Sequence, residues 1–417
     1  MFELVFIDSV EMIFILLVLS IVMITISCIA TNTITNTNNT INANDLISFQ
    51  DFLLLGNEDD KKISALKFRE KLVDIDINHN YSTMFDNDVY ELSIEQKQFY
   101  KLYGFLIVKN VFDVDSVLSY VSTIWTAIRT ETDKQAVRGP FITDTNVWMK
   151  SKKLSEFILN KKLARLAAEL MGVKGVRLYQ DKPFFKGPDE SNSPPHQDRY
   201  GSLIRSEHHK MIAAWMPLSF NISTSTGALL YLPASHRKRK LFGKGFSFNP
   251  CPYTLNEPDS IWKDEVKIKN MTLLALAAGM DDAHKWIKYK GFQGSCGATF
   301  ISPFISGLQP GDIAFHDGFL VHASSRNSHQ NKVRTAISVQ YFEDGAFRDI
   351  ELDTPTNNFT NDGASQRLWG NEIGKGEKII SKYTPLLYHI SKPYFVGAEN
   401  YLKLSTEEVQ EVEIQVK

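Results

Sequence analysis

Cysteine is scarce in this chain of 417 residues: Cys28, Cys251 and Cys296 are the full set. Three thiols so far apart exclude a disulfide-rich scaffold and any CxxC zinc site. One bridge at most would leave the redox compartment undecided. A charge excess is missing too. Lys and Arg number 46 against 48 Asp and Glu, a net charge of -2, so no electrostatic footprint for nucleic acid is present. Internal repeats are absent, so no repeat architecture is indicated. What is present is apolar surface: 43% of residues are hydrophobic and 12% aromatic. That is enough to form a large core and excludes disorder for most of the length. The length allows one large domain with extensions, or two to three smaller ones.

Long hydrophobic runs are also rare, with one exception. Met12 to Ala30 carries no charge and is broken only by Ser20, Thr25 and Ser27. As a helix it would rise about 28 Å, close to the hydrocarbon thickness of a bilayer. Glu3, Asp8 and Glu11 precede it with no Lys or Arg, so the flanks set no orientation. Cys28-Ile29-Ala30 has the small-x-small form of a cleavage site. Residues 1–30 are therefore expected to be an anchor or signal segment, or else a buried or non-native extension. Membrane-anchored, secretory and cytoplasmic locations stay open. From residue 31 a low-complexity spacer (TNTITNTNNTINAN) leads into an extension reaching residue 88. Glu413–Lys417 spells neither SKL nor KDEL, so no peroxisomal or retention address is expected there.

Beyond residue 88 the patterning is that of a folded domain. Ser93 followed by Ile94 to Gly104 predicts a short capped helix, and Phe105–Val108 a strand. Asp113–Arg129 has apolar residues at helical spacing, and Ser151–Met171 predicts a second long amphipathic helix closed by Gly172. The pattern then changes. Short apolar runs at 176–185, 211–219, 228–232, 313–316, 319–322 and 333–343 are separated by turn residues, the mark of an all-β sandwich or barrel preceded by helices. Val333 to Tyr341 alternates strictly: Arg334, Ala336, Ser338 and Gln340 share one face. A face so small and polar suits the lining of a cavity, or a plain exposed strand face.

The chemistry-bearing residues begin at His196-Gln197-Asp198. In extended backbone, positions i and i+2 point the same way, so one imidazole and one carboxylate can converge on an ion. Pro194-Pro195 just before them prevents helix formation. Alone, a His-x-Asp is weak evidence. It gains weight from His322 and Arg334 downstream. Two imidazoles and one carboxylate occupy one face of an octahedral Fe(II) and leave three positions open. A guanidinium pairs two-pronged with a carboxylate, which is what a dicarboxylic cosubstrate would require.

With these residues in order, the stretch 90–343 resembles the phytanoyl-CoA dioxygenase family, a branch of the Fe(II)/2-oxoglutarate-dependent oxygenases. The likeness runs through HQD at 196–198, Trp215-Met216-Pro217-Leu218, Gly227 to Arg237, QPGD at 309–312, His322, Asn327 and Arg334. The resemblance implies a mainly β fold with flanking helices (α+β), a double-stranded β-helix or cupin-like jelly roll, over residues 89–345. It implies His196, Asp198 and His322 as iron ligands and catalytic centre, and Arg334 as the anchor for the far carboxylate of 2-oxoglutarate. Gln197, Trp215 and Lys186 match positions around the cosubstrate. The implied reaction uses Fe(II), 2-oxoglutarate and O2, with ascorbate as an auxiliary reductant. It hydroxylates a small or lipid-like organic substrate and releases succinate and CO2. Related halogenases lack the carboxylate that Asp198 supplies, so hydroxylation is the reaction expected. The chain departs from the family at Ala323, where Gly is common. Residues 250–308 read as an insertion, and 346–417 as a C-terminal extension.

Other residues carry weaker readings. His316 reads as structural or as a support for the ligands, and His236 as a packing residue near the barrel mouth. His208 and His209, being adjacent, cannot both ligate one ion from a strand. His79, His284, His329 and His389 stand alone. Arg237–Lys240 could hold a phosphate-bearing substrate or be a solvated loop. Tyr179, Phe184, Phe185 and Tyr200 could shape a substrate pocket or belong to the core. Two further functions compete with the hydroxylase: a catalytically silent jelly-roll binding protein, and a cupin-type metalloenzyme that uses no 2-oxoglutarate. Oligomeric state and substrate identity are not encoded legibly.

Overall fold

The computed structural model describes residues 90–132, 142–199, 202–205, 208–237, 264–280, 286–289, 299–302, 307–351 and 368–391. The expected N-terminal anchor or signal (1–30), the spacer to residue 88, Tyr200 and all three cysteines lie outside them. No helix among the described residues is long and apolar enough to cross a membrane.

Local chemistry sets the helices. Ser93 and Gln96 form a reciprocal capping box that opens α1 (Ile94–Tyr103), and Gly104 closes it at φ 82°. The helical stretch after Asp113 resolves into α2 (Val114–Leu118) and α3 (Val121–Thr132). The single helix expected over 151–171 is also two, α4 (Lys152–Ile158) and α5 (Lys161–Met171). Asn160 makes that break. Its backbone is extended and its side chain accepts from the Leu163 amide, because a short amide stabilises a helix start better than a helix interior.

Two antiparallel sheets form the body. The larger runs β1 (Phe105–Val108), β9 (Ile313–Asp317), β5 (Met211–Pro217), β11 (Arg334–Glu343), β3 (Gly175–Lys186) and β12 (Leu386–His389), with β2 (Ile142–Thr143) also on β3. The smaller runs β4 (Ser193–His196), β10 (His322–Ser324), β6 (Leu229–Tyr231), β8 (Phe300–Ser302) and β7 (Ile287–Tyr289). The sheets face each other: Phe105 on β1 stacks on Tyr231 of β6 with ring centroids 4.7 Å apart. This is the expected jelly roll. The strand expected at 319–322 begins only at His322, because Asp317 and Gly318 impose a turn. The Asp317 carboxylate accepts from the Phe319 amide and its carbonyl from Leu320.

Register decides which side chains look inward. Residues directly opposite in an antiparallel pair share a face. Arg334 pairs with Lys186, Ser338 with Trp215, and Ala213 with both Gln340 and His316. These residues line the inner face. Arg334, Ala336, Ser338 and Gln340 are all buried, so the exposed-face reading of that strand is excluded.

Two segments outside the expected core motifs also contribute to the fold. The expected insertion at 250–308 contains α6 (Glu265–Ala277), which reaches α1 through a Gln96 side-chain hydrogen bond to the Ala278 carbonyl. It also supplies β7 and β8, and Ile301 pairs with Tyr231. The described part of the C-terminal extension packs on the core. β12 is an edge strand of the larger sheet. Trp369, Ile373 and Ile379 pack with Tyr179, Leu203, Met211 and Phe342 in one buried cluster. Apolar burial, not sequence continuity, draws the edge of a domain. Replacing the fully buried Trp369 by Ala should cost about 3–5 kcal/mol and shift one cooperative urea transition. An unchanged midpoint would show the C-terminal segment to be dispensable.

Candidate metal centre

β10 lies between β4 and β6, and this places His322 directly opposite both His196 and Tyr231. Asp198 follows β4 by two residues. Among the described residues, His196, Asp198 and His322 form a group whose ligand atoms all lie within 4.8 Å of one another. The Asp198 Oδ1 atom is 3.6 Å from His196 Nε2 and 3.7 Å from His322 Nε2. Side-chain exposure falls from 28% at His196 to 12% at Asp198 and 5% at His322, so the centre opens on the His196 side.

Both imidazoles are oriented by their own strands. His196 Nδ1 donates to the Pro194 carbonyl and His322 Nδ1 to the Leu320 carbonyl, each at 3.0 Å. A carbonyl can only accept, so Nδ1 carries the proton and the Nε2 lone pair faces Asp198. Burial, followed by the neighbouring His196 and His316, pushes the His322 pKa well below its ordinary value, which keeps the ring neutral. Burial alone would raise Asp198. The surrounding imidazoles, His322 foremost, and the His316 hydrogen bond outweigh it and hold the carboxyl well below the usual range. Neutral imidazoles and an ionised carboxylate are the protonation states a divalent ion needs.

A second cluster lies where β3 ends and β11 begins. Lys186 and Arg334 are both buried. The Arg334 guanidinium sits over the Trp215 ring, 5.5 Å from its centroid. Lys186 Nζ donates to Ser324 Oγ at 3.0 Å and to the Ser325 carbonyl. Burial and the adjacent Arg334 push Lys186 down to about 6, whereas burial lowers Arg334 only to about 9 and leaves it charged at neutral pH. Gly227, at φ 85°, completes the cradle. A Cβ there would meet Lys186 Cδ at 2.9 Å and Arg334 Nε at 3.2 Å, so only glycine leaves the two basic side chains room.

The residues fit the groups that the sequence suggested. Two Nε2 lone pairs and one carboxylate oxygen are an N2O donor set for Fe(II). Ser324, which holds Lys186, lies two positions beyond His322 on the same strand, a rise of about 7 Å. That is the scale of a five-carbon diacid between a metal and a cationic cradle.

Of the expected cosubstrate residues, Arg334, Lys186 and Trp215 come together. Gln197 does not join them. Alternation turns its side chain away from His196 and Asp198, and its amide donates to the Phe319 carbonyl. It ties the ligand-bearing strand to the turn before His322. Tyr179 and Phe185 are core residues, while Phe184 shares the inner face with Ala336. His236 is half-buried, packs against Gly104 and bonds the Lys101 carbonyl at 3.2 Å, as a packing residue should. Sequence reasoning did not single out Ser324, Ser325 or Gly227 as a cradle. The only signal was their placement just after His322 and just before β6.

The match to a family model covers residues 100–279 and is described as Phytanoyl-CoA dioxygenase (PhyH). Residues 100–279 are thus similar to the phytanoyl-CoA dioxygenase family. The matched span includes His196 and Asp198, whereas His322 and Arg334 lie beyond it. The peroxisomal phytanoyl-CoA dioxygenase of Rattus norvegicus is 27% identical over 175 residues, 36% of this chain and 49% of that protein. The chain thus spans about half the length of the curated relative it matches. Similar solved structures include the epimerase SnoN in complex with Fe3+, alpha ketoglutarate and nogalamycin RO. It is 17% identical, covers 70% of this chain and 97% of that one, and has a TM-score of 0.49. EctD from S. alaskensis with 2-oxoglutarate and 5-hydroxyectoine is 15% identical, covers 64% and 82%, and has a TM-score of 0.42.

The cradle has a titration signature. An unfolded lysine keeps its proton to about pH 10.4, whereas folded Lys186 releases it above about 6. Between those values the unfolded chain binds the extra proton, so stability rises with pH. Urea midpoints of Lys186→Met should lack this contribution, which is at most about 1.4 kcal/mol per pH unit. Parallel pH profiles for the two proteins would show that Lys186 is already solvated.

Proposed function

We propose that this protein is an Fe(II)/2-oxoglutarate-dependent dioxygenase that hydroxylates a small or lipid-like organic molecule. The observation that carries the reading is the convergence of His196, Asp198 and His322 beside a cradle of two buried basic side chains, Lys186 and Arg334. Oxidation of one C–H bond to C–OH is balanced by conversion of 2-oxoglutarate and O2 into succinate and CO2. A ferrous ion held by the three ligands supplies the oxygen-activating redox chemistry.

The protein's share is positional. His196 and His322 present Nε2 atoms fixed by Nδ1 hydrogen bonds, so the donor set is formed before the metal arrives. Arg334 and Lys186 hold the far carboxylate of the cosubstrate, and Trp215 braces the guanidinium. Ala213 between His316 and Gln340, with Ala336 and Ser338 farther along β11, gives the inner face a floor of small side chains, and the Gln180 and Gln340 amides bond at 2.7 Å. That floor is where an organic substrate would lie. Membrane attachment through residues 12–30 is a separate proposal that rests on the hydrophobic run alone.

Succinate release with Fe(II), ascorbate and 2-oxoglutarate tests the reading. Arg334→Ala should raise the 2-oxoglutarate KM about 30-fold or more, on the order of 2 kcal/mol, because it removes one member of a buried charge pair. An unchanged KM would favour a cupin-type enzyme without this cosubstrate. If the wild-type chain neither releases succinate nor binds iron at micromolar metal, only a binding protein with this fold remains.

A further inference from the structure

Three histidines crowd Asp198, yet the proposed centre uses two. The ring of His316 lies 4.3 Å from that of His322, as close as His322 is to His196 at 4.2 Å. His316 comes from the opposite sheet, on β9, where it pairs with Phe105 on one side and Ala213 on the other. It is 2% exposed, and Tyr231 lies 5.8 Å from its ring. A side chain held this way cannot swing far.

The two oxygens of Asp198 have different partners. Oδ1 faces the two ligand imidazoles at 3.6 and 3.7 Å. Oδ2 lies 3.1 Å from His316 Nε2. An ionised carboxylate only accepts, so His316 Nε2 carries the proton and donates. A nitrogen that carries a proton has no lone pair for a metal.

We infer that His316 is a positioning residue that holds Asp198 to one-oxygen ligation and keeps itself out of the coordination sphere. The inference rests on the reading proposed above. Coordination arithmetic gives the reason. Six positions less three protein ligands leave three, which chelating 2-oxoglutarate and O2 fill completely. A second carboxylate oxygen, or a third imidazole, would take one of them. The single hydrogen bond from His316 to Oδ2 blocks both losses.

The test uses the full-length protein loaded anaerobically with Fe(II), then titrated with 2-oxoglutarate. The visible charge-transfer band of chelated cosubstrate is followed, and Fe(II) affinity is measured separately. His316→Leu removes the donor, while His316→Gln keeps an N–H within reach. His316→Leu should bind 2-oxoglutarate about 10- to 100-fold more weakly or shift the band, and His316→Gln should restore most of the loss. If Leu misfolds, as judged by circular dichroism, His316→Phe takes its place. A folded variant without the donor that shows the wild-type band and affinity overturns the inference. So does a Gln variant as impaired as Leu, because ring packing would then be the cause. A wild-type chain that binds no Fe(II) would sink the proposed function instead, and the two failures are distinguishable.

Discussion

The antiparallel pairing of β10 with β4 is the constraint on which the centre depends. It sets His322 across from His196, although 125 residues of chain separate them in sequence. No local preference holds these imidazoles together. The ladder does, and the ladder is secured from both sides. Ser193 Oγ accepts from the Ser324 amide at 2.7 Å, and β6 closes the other edge of β10. Once the pair is in register, the two-residue period of β4 carries Asp198 to the same side as His196. The packing of sheet on sheet then brings His316 to its outer oxygen.

The inner face is electrostatically divided. At one end an ionised aspartate sits among histidines, with its charge stabilised by them. At the other, Lys186 and Arg334 are buried side by side as register partners. Burying two basic groups together disfavours a charge on both, and burial beside Arg334 pushes Lys186 down. An anionic ligand group in the cradle would offset that cost. Stability is given up where binding is needed, a common place for natural proteins to break the rules of a well-satisfied core.

Much of this was legible in one dimension. The capping box at Ser93, the strand at Phe105 and the alternation from Arg334 to Gln340 follow from local chemistry, and the structure contains them. The candidate ligands were legible because the His-x-Asp at 196–198, His322 and Arg334 occur in the order of the family that 90–343 resembles. Failures came where a local signal outweighed periodicity, as at Asn160 in the expected long helix and at Asp317-Gly318 in the expected strand. Others came where burial joined distant segments: Trp369 in the core and Ile301 in the smaller sheet had no mark that a spacing rule could read.

Residue types and their order along the chain carried the mainly β pattern and, through the family resemblance, named the candidate donor atoms and the candidate arginine anchor, because order and chemical type are written in the sequence itself. Only the tertiary structure decided that Gln197 ties strand to turn, that Ser324 and Ser325 hold Lys186, and that His316 faces the outer oxygen of Asp198. These roles arise where two sheets meet. Which side chains meet there is set by register and packing over the whole domain, which no short stretch of sequence contains.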